Sequence, residues 1–478
     1  MAQHAENQNS FNLQAFSSDV LIYSFGQAFL LIFSFIQSLI IPKYLSTTDY
    51  GYWQLFLLYT TYVGILHFGF LDGILVRWAG KNLEVLKEEV STAFRFILLE
   101  QVVIVGILIM TVKFLDITSK KFAFVVLANA IIVNLLVFFI LAAQATKNFK
   151  LITSANIGKG LIFLLFILFI FFGGYLSYFS LIIALIAAEL IILSIFIFHT
   201  RDYLFNTCRP LLQYGKVNIG IGIFIMMGNF IALAFTTVDR MTVGSFFPIT
   251  QFAVYTFAMS VCGLVTVFLQ AVAQVFFPYL SGSDLETRKK AYRILKPTLV
   301  IFWALALAIY FPASLGIGYY LPKYTDSLSL TAILLCTVGF SGQINILHAN
   351  FFKVYRKQRA YFILAGIALI GAGVLNIFAV SLFGTLTAIA FTAVISFTLW
   401  YLLNEFALRN IIAGSTKEIV KWMLVIGAYI GAFLGSYYVS KTWISGFCIY
   451  FILFAGITTI CLRKEKEQLK SMILMILK

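Results

Sequence analysis

Lys159 and Glu189 are the ionisable residues set deepest in apolar sequence. Each stands about 15 residues from the Gly173-Gly174 pair, Lys159 before it and Glu189 after it. At a rise of ~1.5 Å per residue, a helical hairpin turning at those glycines brings both to one depth. An ammonium and a carboxylate so placed have two uses. They can tie two helices together, each offsetting the other's burial. Alternatively the pair switches, Glu189 taking a coupling proton or Na+ while Lys159 turns toward an anion such as phosphate. Arg77 is a second phosphate candidate, because its planar fork bonds two oxygens at once; otherwise it is an anchor at the end of a span. Asp239 and Arg240 are adjacent and form either a local ion pair or a gating element, and Asp72 joins the coupling candidates. His67 and His348 are isolated and read as hydrogen-bonded core histidines, His348 also lying on a polar stripe.

The elements that position these groups are fourteen apolar stretches, each near the ~20 residues a helix needs to cross a bilayer. They fall at 20–41, 52–75, 96–115, 122–143, 151–172, 177–198, 217–238, 252–276, 298–318, 327–350, 361–383, 385–404, 419–438 and 444–462. Hydrophobic residues make up 61% of the chain and charged ones 11%, against roughly 25% charged in a soluble domain. The fold class expected is an all-α polytopic membrane protein.

The formal charge of +15 raises nucleic acid as a partner, but its distribution argues against it. With the N-terminus in the cytoplasm, the outer loops hold only Lys43, Lys113, Lys120, Lys121, Arg240, Lys323 and Lys441. Lys159 lies within a span, and about 26 of the 34 cations fall on the inner side, the positive-inside pattern. The densest clusters are Arg288, Lys289, Lys290, Arg293 and Lys296, then Lys353, Arg356, Lys357 and Arg359, then Arg463, Lys464, Lys466 and Lys470. They fix topology and meet anionic membrane lipids, or draw an anionic lipid-linked substrate to the inner surface. The expected location is the bacterial cytoplasmic membrane with both termini inside. The polar first 19 residues carry no signal peptide, so the first span is expected to be a retained signal-anchor. Of five cysteines none falls in an outer loop, and no disulfide framework is expected.

Polar stripes at steps of three and four residues mark helix faces that must meet protein or water. The first span carries Ser24, Gln27, Ser34 and Ser38; the seventh Asn218, Gly222, Asn229, Thr236 and Asp239. The eighth carries Thr256, Ser260, Gly263, Gln270 and Gln274, and the tenth Thr337, Ser341, Asn345 and His348. Such residues either join helices by hydrogen bonds or line a shared wet cavity. On the cavity reading Gln27, Asn229, Gln270, Gln274, Asn345 and His348 are substrate-binding candidates. In the second span Gly69, Gly73 and Arg77 share a face.

A weak internal repeat aligns Thr48, Tyr50, Gly51 and Trp53 with Thr250, Phe252, Ala253 and Tyr255. Both segments follow the first span of a set of six, which describes parallel halves related by an axis along the membrane normal. The expected domains are an N-terminal lobe at 14–205, a C-terminal lobe at 206–412, and two extra spans with a tail at 413–478. No Gly-rich loop ending in Lys-Ser or Lys-Thr, no His-Glu-x-x-His and no Cys-x-x-Cys occurs. With inner loops short and basic and outer loops rarely above about ten residues, no catalytic residue, metal or cofactor is expected. Transport is expected to run on an ion gradient, a proton or Na+, or on substrate supply.

With these features on the page, the chain resembles the polysaccharide (O-antigen type) flippases of the multidrug/oligosaccharidyl-lipid/polysaccharide exporter superfamily. The resemblance rests on Pro42 with Leu45-x3-Asp49-Tyr50-Gly51, and on Gly69-x-Leu71-Asp72-Gly73-x3-Arg77. It continues through Asp239-Arg240, Tyr255 and Phe277-Pro278-Tyr279-Leu280, in order over essentially the full length. It implies a MATE-like, V-shaped pair of six-helix lobes around a central, often cationic cavity. It also implies movement of undecaprenyl-pyrophosphate-linked oligosaccharide from the inner to the outer leaflet, for O-antigen or capsule assembly. Arg77 and Lys159 become candidate pyrophosphate partners, and Asp239 and Arg240 match the family's Asp-Arg pair. A monomer is expected, with polysaccharide-assembly proteins as possible neighbours in the membrane. The alternatives are a drug/cation antiporter or a peptidoglycan-precursor flippase of the same superfamily, or a membrane-embedded polysaccharide polymerase or ligase.

Overall fold

The computed structural model describes residues 29, 33, 35 and 37–462, apart from 82, 115–119, 207–208, 282–284 and 413; side chains at 83, 267–285 and 287 are not described. Among the described residues every regular element is a helix. In chain order these are α1 (Thr47–Tyr62), α2 (Phe70–Trp78), α3 (Lys87–Phe114), α4 (Lys120–Ala145), α5 (Phe149–Phe172), α6 (Tyr178–Leu204), α7 (Leu211–Phe246) and α8 (Ile249–Ser281). They continue with α9 (Leu285–Leu307), α10 (Tyr310–Tyr320), α11 (Ser327–Gln343), α12 (Ala349–Val354), α13 (Gln358–Leu382), α14 (Leu386–Arg409), α15 (Thr416–Val439) and α16 (Trp443–Cys461). Among the described residues twelve helices are long and apolar enough to cross a membrane, thirteen when the bent pair Thr47–His67 and Phe70–Trp78 counts as one span. The protein is therefore a multi-pass membrane protein. The first expected span, 20–41, lies largely outside the described residues.

Two spans depart from the straight helices expected. The second breaks by 65°, because Phe68 and Gly69 are left-handed, with φ of 45° and 83°. Glycine adopts that conformation without penalty, and the Gly69 N–H donates to Nδ1 of His67 at 3.1 Å. The tenth span carries a π-helical turn at Ile344–His348 between α11 and α12. The hairpin expected around Gly173-Gly174 is present between α5 and α6, with Gly174 at φ 72° and a Ser177/Ser180 capping box opening α6.

Contacts divide the described residues into two units, one mainly of 55–230, the other of 37–54 and 231–462. In the first, α4 packs against α2, α3 and α6. Its core is aromatic: Phe70 lies 4.4 Å from Phe96, and Phe139 stacks on Phe196 at 5.2 Å. The broken span frees backbone carbonyls inside this core, where lipid offers no donor. Asn134 of α4 donates to Val63 O at 3.1 Å, and Gln101 of α3 donates to Leu66 O at 3.0 Å. Asn134 also donates to Gln101 Oε1 at 2.8 Å, and both side chains are fully buried.

In the second unit α11 is the central helix, packed against α8, α9, α14 and α15. Gly339 leaves room for the Trp303 indole, where a Cβ would overlap the ring. The Trp303 Nε1–H donates to Leu335 O at 3.1 Å. The Pro42–Trp53 motif and its repeat partner meet inside this unit. Gly51 sits against the Ile249 backbone, so that a Cβ there would strike its carbonyl. Tyr50 packs edge-on to Phe257 and Tyr324, and Lys323 donates to the carbonyls of Lys43 and Leu45. The last two helices are built into the same core: Gly446 lies on the Phe311 ring, and the Tyr450 hydroxyl donates to Ala304 O at 2.5 Å.

Gln101→Leu and Asn134→Leu each strip a donor from a carbonyl at the bend, and each is expected to cost about 1–3 kcal/mol. Asn134→Leu has the larger effect, because Asn134 serves Gln101 as well. Thermal unfolding of the purified variants in detergent reads this directly; melting points equal to wild type would mean the bend does not depend on the two amides.

Candidate functional site

Within the first unit, α2 carries Gly69, Gly73 and Arg77 on one stripe, and that stripe faces α7. Added Cβ atoms at Gly73 and Gly222 would overlap the Asn218 carbonyl and the Gly69 backbone, respectively. Such close approach is what small residues at spacings of four permit. One turn further on, Arg77 Nη1 donates to Asn218 Oδ1 at 3.2 Å, and its guanidinium lies 5.2 Å over the Tyr214 ring. Its Nη2 is 3.5 Å from Glu89 Oε2.

Glu89 was not singled out by sequence reasoning, yet it is the hub of this cluster. It sits in the first turn of α3, where the helix dipole favours acidic residues. Trp78 Nε1–H and the Tyr214 hydroxyl donate to Oε2 at 3.0 and 3.2 Å, and Arg209 Nη1 reaches Oε1 at 3.4 Å. Arg77 is therefore committed to internal partners in this state.

Lys159 and Glu189 meet as their register predicts. Lys159 Nζ is 3.7 Å from Glu189 Oε1, with the lysine side chain 39% exposed and the glutamate 7%. Glu189 Oε2 is buried without a hydrogen-bond partner among the described residues, so the pair is only half saturated. Asp72 and His67 form a looser pair, 4.0 Å apart.

In the second unit Asp239 accepts from the Tyr255 hydroxyl at 2.8 Å and from the backbone N–H of Arg240 at 2.8 Å. Its oxygens thus go to a neighbouring helix and to the main chain; no guanidinium–carboxylate pair with Arg240 occurs among the described ion pairs. One turn along α7, Thr242 accepts from Asn376, whose Oδ1 accepts from Thr392 at 2.6 Å. This chain linking α7, α13 and α14 was missed at the sequence level, although each residue is a polar group inside an apolar run.

His348 is fully buried and is not isolated: its Nε2 lies 3.1 Å from Glu405 Oε1. The π-turn directs it there. Glu405 also accepts from the Tyr292 hydroxyl at 2.7 Å and pairs through Oε2 with Lys296 at 2.7 Å. The sequence assigned Lys296 to a basic loop cluster and left Lys159 nearly alone as a deep cation. The structure corrects this: Lys296 lies in α9 and is 4% exposed.

Of the remaining candidates, Asn345 donates to Ser341 in its own helix, and Asn229 is exposed on α7. Gln27 lies outside the described residues, as do the side chains of Gln270 and Gln274. Among the described residues no group of three or more His, Cys, Asp or Glu is placed to hold a metal ion.

The fold these sites sit on is an all-helical, multi-pass membrane fold. It is shared along nearly the whole chain with the lipid II flippase MurJ in its inward closed conformation: TM-score 0.71, 13% identity, covering 93% of this chain and 99% of that one. It is shared more distantly with a point mutant of the Vibrio cholerae MATE transporter VcmN: TM-score 0.53, 15% identity, 83% of this chain and 97% of that one. No family model and no curated protein matches the sequence.

Glu405→Ala strands Lys296 in a buried site and is expected to destabilise the protein by about 3–5 kcal/mol. Lys296→Met/Glu405→Leu, which removes both charges, is expected to recover most of that loss. Unfolding of the three variants in one detergent measures the difference, and an equally unstable double variant would show that the charge pair is not the source of the cost.

Proposed function

We propose that this protein is a flippase that moves a lipid-linked oligosaccharide, carried on undecaprenyl pyrophosphate, from the inner to the outer leaflet of the bacterial cytoplasmic membrane by alternating access. The observation that carries this reading is the match to the lipid II flippase fold over 93% of the chain. The ordered motifs from Pro42 to Leu280 favour a substrate from cell-surface polysaccharide assembly. The two-lobe division at 14–205 and 206–412, followed by spans 13 and 14 at 413–478, the inward termini and the monomeric state belong to the same proposal.

In this reading Lys159 and Glu189 form a switch. Lys159 is partly exposed and holds one carboxylate oxygen, while the other oxygen of Glu189 can take a proton or Na+. Loading that carboxylate weakens its hold on the ammonium, which then meets substrate phosphate. Arg77 follows only when phosphate displaces Glu89 from its fork. Asp239 and Asp72 are the further coupling candidates, with Arg240 beside Asp239 as a gating candidate. Gln27, Asn229, Gln270, Gln274, Asn345 and His348 are the candidate glycan contacts.

The test is the leaflet distribution of lipid-linked oligosaccharide in cells lacking the protein, read with an impermeant glycan-cleaving enzyme on intact and on lysed spheroplasts. Accumulation accessible only after lysis, and reversed by the wild-type gene, is the expected result. An unchanged outer pool together with increased drug sensitivity would favour the antiporter instead. Within the complemented strain, Lys159→Ala and Glu189→Ala are each expected to abolish flipping, and the double variant is expected to stay inactive. Recovery in the double variant would make the pair a structural tie.

A further inference from the structure

A second cationic site lies in the second unit, away from the Lys159–Glu189 pair. A cavity of about 250 Å³ opens where the N-terminal parts of α9 and α15 meet the C-terminal end of α14. At ~30 Å³ per water of liquid, it has room for a phosphate group with a small polar substituent. Five cations line it, Lys289, Arg293, Lys296, Arg409 and Lys421, against two carboxylates, Glu405 and Glu418.

Glu405 is taken up by its own partners, which leaves Glu418 as the one lining carboxylate against the remaining cations. Glu405 already receives Tyr292, His348 and Lys296. Glu418 closes the capping box of α15 on Ser415. Lys289 pairs with Glu286, which is outside the lining. Arg409 is steadied by neutral groups, Thr416 Oγ1 at 2.8 Å and Asn410 Oδ1 at 3.4 Å. Neither Arg409 nor Arg293 has a carboxylate partner among the described ion pairs. Two guanidinium forks without a carboxylate partner among the described residues fit the oxygens of a phosphate. Ile412, Ile419 and Trp422 add apolar lining, and this favours a phosphate that arrives with a lipid. Basic pockets between membrane helices at the interface are suited to anionic headgroups.

We propose that this pocket binds a phosphate anion, supplied by the headgroup of an anionic phospholipid or by free phosphate. It does not depend on the flippase reading, since binding at this face needs no transport.

The test uses the full-length protein, delipidated in detergent, and titration calorimetry with three probes: dioctanoyl phosphatidic acid, dioctanoyl phosphatidylcholine and inorganic phosphate. Phosphatidic acid is expected to bind at least ~10-fold tighter than phosphatidylcholine, and Arg293→Gln/Arg409→Gln to weaken it by about 10-fold or more. Lys290→Gln/Lys417→Gln, which removes two cations outside the pocket, is expected to keep wild-type affinity. Inorganic phosphate binding as tightly as phosphatidic acid identifies free phosphate as the ligand; much weaker binding identifies the headgroup. Equal affinity for the two lipids, an Arg293/Arg409 variant that binds like wild type, or equal losses in both double variants would overturn the site. If the Arg409 change prevents folding, Arg293→Gln alone, at an exposed position, decides the same question.

Discussion

Inside a bilayer no backbone carbonyl can be left without a donor, and the break in the second span meets that constraint with two buried amides. The left-handed pair Phe68-Gly69 turns the chain, and the carbonyls of Val63 and Leu66 lie in the 3-10 turn that leads into it. Asn134 and Gln101 supply the missing donors from α4 and α3. The direction α2 then takes sets Gly69 and Gly73 against α7 and lands Arg77 on Asn218, Glu89 and Tyr214. The placement of the first phosphate candidate thus rests on hydrogen bonds to main chain about three to four turns earlier. An apolar substitution at either amide would disturb the arginine without touching it.

The buried carboxylates differ in how fully they are bonded. Glu89 and Glu405 each use both oxygens, and each joins three or more donors from different parts of the chain. A carboxylate so saturated is held rigidly, with both oxygens already engaged. Glu189 meets one lysine with one oxygen. It is the member of the set whose protonation would leave no network broken, which is the property a coupling group needs.

Much of this was legible in the sequence because apolar runs and their interruptions are local signals. The spans, the α5–α6 hairpin and the meeting of Lys159 with Glu189 follow from length, glycine and helical rise. The stripe of Gly69, Gly73 and Arg77 was read correctly as one face, although the helix carrying it was taken as straight. What stayed hidden depended on long-range pairing. Glu89 and Lys296 looked like ordinary interfacial charges, since nothing near them in sequence announces Tyr214 or Glu405. The His348–Glu405 contact needed a π-turn, which shifts the register that the 3.6-residue pattern assumes. The seventh-span stripe split in the structure: Asn218, Gly222 and Asp239 join helices, while Asn229 is exposed. Periodicity finds a polar face but does not say whether protein or substrate covers it.

The unequal engagement of Lys159 and Arg77 implies an order for phosphate capture under the proposed function. Arg77 is held by Asn218 and Glu89 and stacked on Tyr214, and its side chain is 25% exposed. Lys159 has one carboxylate contact, at 3.7 Å, and is 39% exposed. Freeing the lysine breaks one long pair, which neutralising Glu189 weakens in the same step. Freeing the arginine leaves Glu89 buried with one cation fewer, a cost that only a strongly charged ligand close to the fork can offset. A pyrophosphate at the fork would supply that charge. Arg77 then acts as a second, conditional ligand, one that discriminates against weakly charged lipids that Lys159 alone would admit.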